Sequence, residues 1–157
     1  MKYAAVALSV FAGDFFLKKY MEEHRDMQEQ TEICRGTLAV KKYHNRGAAL
    51  NFMEKRPKLV KKASGGILLV LSLLWYIMLR KKKSPGLLTG LSLALGGGAN
   101  NFYDRVVRGY VVDYFSFRTP WKKLNQIVFN LSDMCIFLGC FLIIFSARER
   151  DAVLPVR

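Results

Sequence analysis

Cysteine is scarce in this chain, acids are outnumbered by bases, and no segment rich in Pro, Gly and Ser divides it. Each shortage excludes a class of protein. The three cysteines, Cys34, Cys135 and Cys140, are odd in number and two share one apolar run, which argues against a disulfide framework. Phe137-Leu138-Gly139-Cys140 reads as packing inside an apolar segment. His24 and His44 have no metal-ligand spacing, so no metal and no cofactor is expected. Lys and Arg number 25 against 12 Asp and Glu, a net charge of +13. These bases sit between apolar runs, without zinc-finger spacing or an RNA-recognition motif, so the expected partner is anionic lipid headgroups rather than nucleic acid. A chain of 157 residues without a linker is expected to form a single membrane domain, 1–157, and a monomer.

What the chain has instead is apolar sequence, 52% of its residues, bunched into four runs. The run after Lys2 lacks a small-x-small cleavage site and carries Asp14, so it reads as a first span over about 3–21 rather than a signal peptide. Further spans are expected at about 63–79, 87–103 and 127–145. The fold class is therefore all-α integral membrane, four transmembrane helices, with a small β-element between helices 1 and 2. Thr37 to Tyr43 is β-branched and aromatic before a turn signal, as in a strand or hairpin edge. The basic stretch Lys55 to Lys62 reads as a surface segment lying on headgroups.

With four spans, the connections 22–62 and 104–126 face one side, and both termini with the Arg80–Gly86 turn face the other. Asp14, Asn101, Asp104, Asn130 and Asp133 then converge on one membrane rim. Ionisable groups at that depth cost roughly 2.5–3.5 kcal/mol each on insertion scales, which makes the cluster a functional-site hypothesis. Asp113 and Asp133, flanking one connection, read as a catalytic pair. Asp14 and Lys18 are four residues apart, so on a helix they share a face and can pair. An ion or proton relay would need charges spread through the bilayer depth, whereas spans two and four are clean beyond Asp133. The connections on the site side carry 17 Lys and Arg against 8 on the other side, which by the positive-inside rule places the site in the cytoplasm.

These motifs resemble the lipoprotein signal peptidase (signal peptidase II) family of bacterial inner membranes. The likeness runs from span one to span four: Asp14-x-x-x-Lys18, Asn45-x-Gly47-Ala48-Ala49, a Gly-rich run leading to Asn101-x-x-Asp104-Arg105, Gly109-x-Val111-x-Asp113-Tyr114, and Phe129-Asn130-x-x-Asp133. The resemblance implies an aspartic endopeptidase that removes signal peptides from diacylglyceryl-modified prolipoproteins, cutting before the lipidated Cys. It implies catalytic roles for Asp113 and Asp133, substrate-binding roles for Asn45, Gly47, Asn101, Arg105 and Asn130, and supporting roles for Asp14, Lys18 and Asp104. It also implies a bacterial cytoplasmic membrane with the site on the extracytoplasmic face, against the charge count, and a β-element over roughly 30–52 that cradles substrate.

The chain departs from the family pattern at Asn100, where Gly is usual, at Ser132, where Ala is usual, at Leu50, where an aromatic is common, and at Gln126-Ile127, where Trp-Pro is common. None removes a carboxylate. Ser132, beside Asp133, is expected to add a hydrogen bond that alters the pair's titration. Two carboxylates that share one proton titrate as a unit, giving an acid and a base at the same pH.

Overall fold

A computed structural model describes residues 1–47 and 52–151. Four long helices carry the chain: α1 (Lys2–His24), α2 (Pro57–Arg80), α3 (Pro85–Val107) and α5 (Leu131–Asp151). A hairpin of β1 (Gln30–Ile33) and β2 (Leu38–Asn45) precedes α2, and β3 (Val111–Phe117) and a short α4 (Lys122–Asn125) lie between α3 and α5. The strands form one antiparallel sheet in the order β1-β2-β3.

Burial is inverted relative to a water-soluble protein. Asp14, Lys18, Asp104 and Asn130 are 0% exposed, while Leu69, Ile67, Leu8 and Ile144 stand two-thirds or more open. That arrangement suits a hydrocarbon solvent, where apolar faces need no cover and polar ones do. By length and composition α2 and residues Leu131–Arg148 of α5 are able to cross a membrane. Four long helices stand where four spans were expected, and two of them, α2 and α5, have the length and apolar composition of a span. α1 and α3 have 23 residues each, about 35 Å of helix, but α1 carries Asp14, Lys18 and Lys19 and α3 is rich in Gly and Asn.

α3 is the central helix and packs on α1, α2 and α5. Its glycines explain how closely it does so. A Cβ at Gly97 would lie 2.6 Å from the Ser132 carbonyl oxygen, one at Gly90 would lie 2.7 Å from that of Gly139, and one at Gly96 would collide with the Ala7 carbonyl. Gly96 thus faces α1 and Gly97 faces α5, and one turn later Asn100 and Asn101 inherit the same two faces.

Several boundaries differ from expectation. The β-element is not confined to the first connection, because the second supplies β3. α2 begins at Pro57, not Ala63, so Lys58, Lys61 and Lys62 ride on its first turns instead of forming a separate surface segment. α5 begins at Leu131, not 127, because Phe129 is hydrogen-bonded to Phe115 on the free edge of β3. Ala48, Ala49 and Leu50 lie outside the described residues.

Candidate active site

β3 carries Asp113 with both flanks covered. β2 lies on one side, with Tyr43 opposite Asp113 and Asn45 opposite Val111; Phe129 lies on the other. An extra residue in β2 between Val40 and Tyr43 breaks the register, as in a β-bulge. Asn45 and Asp113 are diagonal neighbours on one face of the sheet. Accordingly Asn45 Nδ2 donates to Asp113 Oδ2 at 3.1 Å.

The Phe129 bridge delivers the chain directly into α5. Asn130, the residue before the helix, accepts from the Asp133 backbone N–H at Oδ1 (2.9 Å), and Asp133 Oδ2 accepts from the Asn130 N–H (3.1 Å). This is a reciprocal capping box built from Asn and Asp. It does two things at once: it starts α5, and it turns the Asn130 amide so that Nδ2 donates to Asp113 Oδ1 at 2.7 Å. Asn130 therefore touches both acids while itself fully buried.

The third amide comes from α3. Asn101 Nδ2 donates to Asp133 Oδ1 at 2.9 Å, and its Oδ1 accepts from Lys18 Nζ at 2.7 Å. An ammonium group only donates, so Lys18 fixes which end of the Asn101 amide faces the acid. The same logic holds elsewhere: the Gly47 N–H donates to Asn45 Oδ1 at 3.0 Å, and the Asp133 N–H occupies Asn130 Oδ1. All three NH2 groups are thereby aimed at carboxylates, and every oxygen of Asp113 and Asp133 receives one donor.

Both acids open onto a cavity of ≈ 330 Å³ lined on its polar side by Asn45, Asn101 and Arg105 and on its apolar side by Val111, Ile127, Val128, Phe129, Ile136 and Phe137. Arg105 Nη1 and Nη2 donate to the carbonyls of Asn101 (3.1 Å) and Gly47 (3.0 Å). Asn130 and Gly47 stand behind the wall and orient what lines it. Burial, and after it the charge of Asp133, push the Asp113 carboxyl up to about 7, against the opposing hydrogen bonds from Asn45 and Asn130.

Behind the cavity lies a second polar group. Lys18 Nζ stands 3.0 Å from Asp14 and 3.0 Å from Asp104 and donates to Asn100 Oδ1 at 2.7 Å. Asp104 also pairs with Arg108 and accepts from the Val112 N–H, while Asp14 accepts from the Tyr114 hydroxyl at 2.8 Å and the Ser132 hydroxyl at 2.5 Å. Burial and the Asp14 charge push the Tyr114 phenol upward, so it stays a donor. Ser132 thus serves Asp14 and not Asp133, since adjacent residues on a helix point about 100° apart. Sequence reading gave no role to Tyr114 or Arg108 and placed Asn100 only as a departure. The Gly96/Asn100 and Gly97/Asn101 spacing carried the missing signal for Asn100. Among the described residues no group of three His, Cys, Asp or Glu side chains is placed to share a metal ion.

A four-helix bundle with apolar outer faces, capped at one end by a small sheet, is a fold shared with two solved structures. A bacterial membrane enzyme solved in meso at 2.3 Å superposes with a TM-score of 0.84 over 99% of this chain and 93% of its own, at 19% identity. A second, solved at 1.9 Å, gives 0.78 over 93% and 92%, at 21% identity. The chain belongs to the signal peptidase II family: the family described as Signal peptidase (SPase) II matches residues 6–148. It is 31% identical to the lipoprotein signal peptidase of Chlorobium luteolum, over 93% of this chain and 91% of that protein. It is 29% identical to that of Halalkalibacterium halodurans, over 97% and 96%.

Proposed function

We propose that this chain removes the signal peptide from lipid-modified lipoprotein precursors, cutting before the lipidated cysteine, with Asp113 and Asp133 as an aspartic catalytic pair. The observation that carries the proposal is the set of three amides from β2, α3 and the α5 cap, all aimed at two carboxylates that share one cavity. In this reading Asp113, raised by burial and by the Asp133 charge to about 7, is the acid of the pair. Asp133, at the N-terminus of α5, is the base, and the helix end stabilises the charge it carries. Water loses a proton to Asp133 and attacks the scissile carbonyl, whose oxygen takes the Asp113 proton. Collapse returns that proton to Asp113, breaks the C–N bond, and passes the Asp133 proton to the departing amine. Asn45 and Asn101 hold the acids and present the polar wall to the unwound peptide, and Arg105 offers its guanidinium to peptide carbonyls.

The site works on the extracytoplasmic face of a bacterial cytoplasmic membrane, where such precursors arrive. Cleavage of a lipidated precursor peptide by the purified protein, lost in Asp133→Asn, tests the chemistry. Labelling of Cys34, exposed in the β1–β2 hairpin, by a membrane-impermeant maleimide in intact spheroplasts tests the orientation. Labelling only after lysis overturns that side assignment.

A further inference from the structure

The basic stretch that the peptidase reading leaves unused ends in a second cavity. It measures ≈ 190 Å³ and is lined by Arg46, Pro57, Lys58, Lys61, Arg105 and Gly109. Four cations from three places meet there: the end of β2, the first turns of α2, and the last turn of α3 with the turn beyond it. No carboxylate among the described residues lines it. Among the described residues, the side chains of Arg46, Lys58 and Lys61 make no hydrogen bond or ion pair, and Arg105 Nε is buried without a partner. A Cβ at Gly109 would meet nothing within 4 Å, so the floor is open.

The placement is electrostatically costly as it stands. The N-terminus of a helix carries partial positive charge and favours acids, yet the first turn of α2 has none, no side chain caps it, and Lys58 and Lys61 sit at that end. An anion in the cavity reverses the sign of each of these terms. α2 continues from this end into the apolar, exposed segment that is able to cross a membrane, so the cavity lies at the end of a candidate span, where an anionic headgroup would reach it.

We propose that this cavity binds a phosphodiester anion, the headgroup of an anionic phospholipid, beside the active site and separated from it by Arg105, which lines both cavities. The site differs from a diffuse basic surface in having a fixed place and a fixed set of partners. Its occupant is recognised by charge and by phosphate oxygens, not by the chemistry of peptide cleavage.

The test is thermal unfolding of the protein in phosphatidylcholine nanodiscs with and without phosphatidylglycerol, and in phosphatidylcholine nanodiscs with inorganic phosphate. Phosphatidylglycerol is expected to raise Tm. The rise is expected to be lost in Lys58→Gln/Lys61→Gln, kept in Lys81→Gln/Lys82→Gln at the other end of α2, and kept in Asp113→Asn, which separates it from the peptidase reading. An unchanged rise in Lys58→Gln/Lys61→Gln, or equal loss in both lysine pairs, overturns the site. An equal rise with inorganic phosphate alone overturns the lipid source. Native mass spectrometry of the wild-type protein should show retained phosphatidylglycerol, and its failure to retain any overturns the proposal whichever variants fold.

Discussion

Two groups of buried polar residues sit side by side in this protein, and they differ in whether their hydrogen bonds are closed. Around Lys18, two carboxylates (Asp14, Asp104) meet two cations (Lys18, Arg108), with Tyr114, Ser132 and Asn100 adding further hydrogen bonds. None of these side chains lines the cavity beside the two acids. Around Asp113 and Asp133, two carboxylates meet three neutral amides, the facing cation Arg105 binds carbonyls instead, and ≈ 330 Å³ of space adjoins both acids. The first group has charge balance; the second lacks it and adjoins a cavity. A balanced network fixes geometry, whereas a pair of acids left short of positive charge is costly to ionise twice and so keeps a proton available. Asn101 joins the two, one end on Lys18 and the other on Asp133.

Breaking the open group has the largest expected effect. Asp133→Asn and Asp113→Asn should each lower cleavage of a lipidated precursor peptide by about 10³-fold or more, and the double variant should be no worse than either single one, because the pair acts as a unit. Stability should move the other way. The Asp113 carboxyl is raised from 3.8 to about 7 in the fold. Below the unfolded value both states hold the proton. Between the two values the unfolded chain releases it first, so stability falls as pH rises toward 7 and then levels. Asp113→Asn removes that slope and should be the more stable protein at pH 8 by at most about 4 kcal/mol, and no different near pH 3. Thermal melts in detergent at the two pH values read this directly.

The closed group should respond in stability first. Lys18→Met leaves Asp14 and Asp104 buried without their shared cation, a loss of about 3–5 kcal/mol. Asp14→Asn added to it should recover part of the loss, since Asp104 and Arg108 remain balanced; a double variant less stable than Lys18→Met alone would contradict the charge-balance account. The bridge should be milder. Asn101→Ala removes one charge-assisted donor from Asp133, about 1.5–3 kcal/mol, and should lower kcat by about 10- to 100-fold with a smaller change in melting temperature.

The contrast also explains what was legible beforehand. Asp14 and Lys18 were readable because helical spacing puts residues i and i+4 on one face, and Asp113 and Asp133 because carboxylates beside apolar runs are conspicuous. β3 was not, because Val111 to Tyr114 are all buried and show no alternation of apolar and polar residues. Ser132 is next to Asp133 in sequence, but the helix turns its hydroxyl onto Asp14, and sequence adjacency gives no sign of that. The start of α2 at Pro57 had a signal, proline at a first helical position, which the lysines around it obscured. The capping box of Asn130 and Asp133 was hidden for a different reason: an Asn-x-x-Asp spacing announces a helix start, and a motif with a structural duty gives no sign of a second one.

The finest test of the open group is the pH profile of Asn45→Val. Asn45 Nδ2 donates to Asp113 Oδ2, and that bond favours the ionised carboxylate, as does the one from Asn130. Removing it leaves burial and the Asp133 charge less opposed, so the Asp113 value should climb above about 7. If Asp113 is the acid, activity falls at alkaline pH as it deprotonates, and the alkaline limb of kcat against pH should move upward by up to about one unit. A limb that moves down, or an acid limb that moves instead, would assign the resting proton to Asp133 and exchange the roles of the two carboxylates while leaving the amide framework as described.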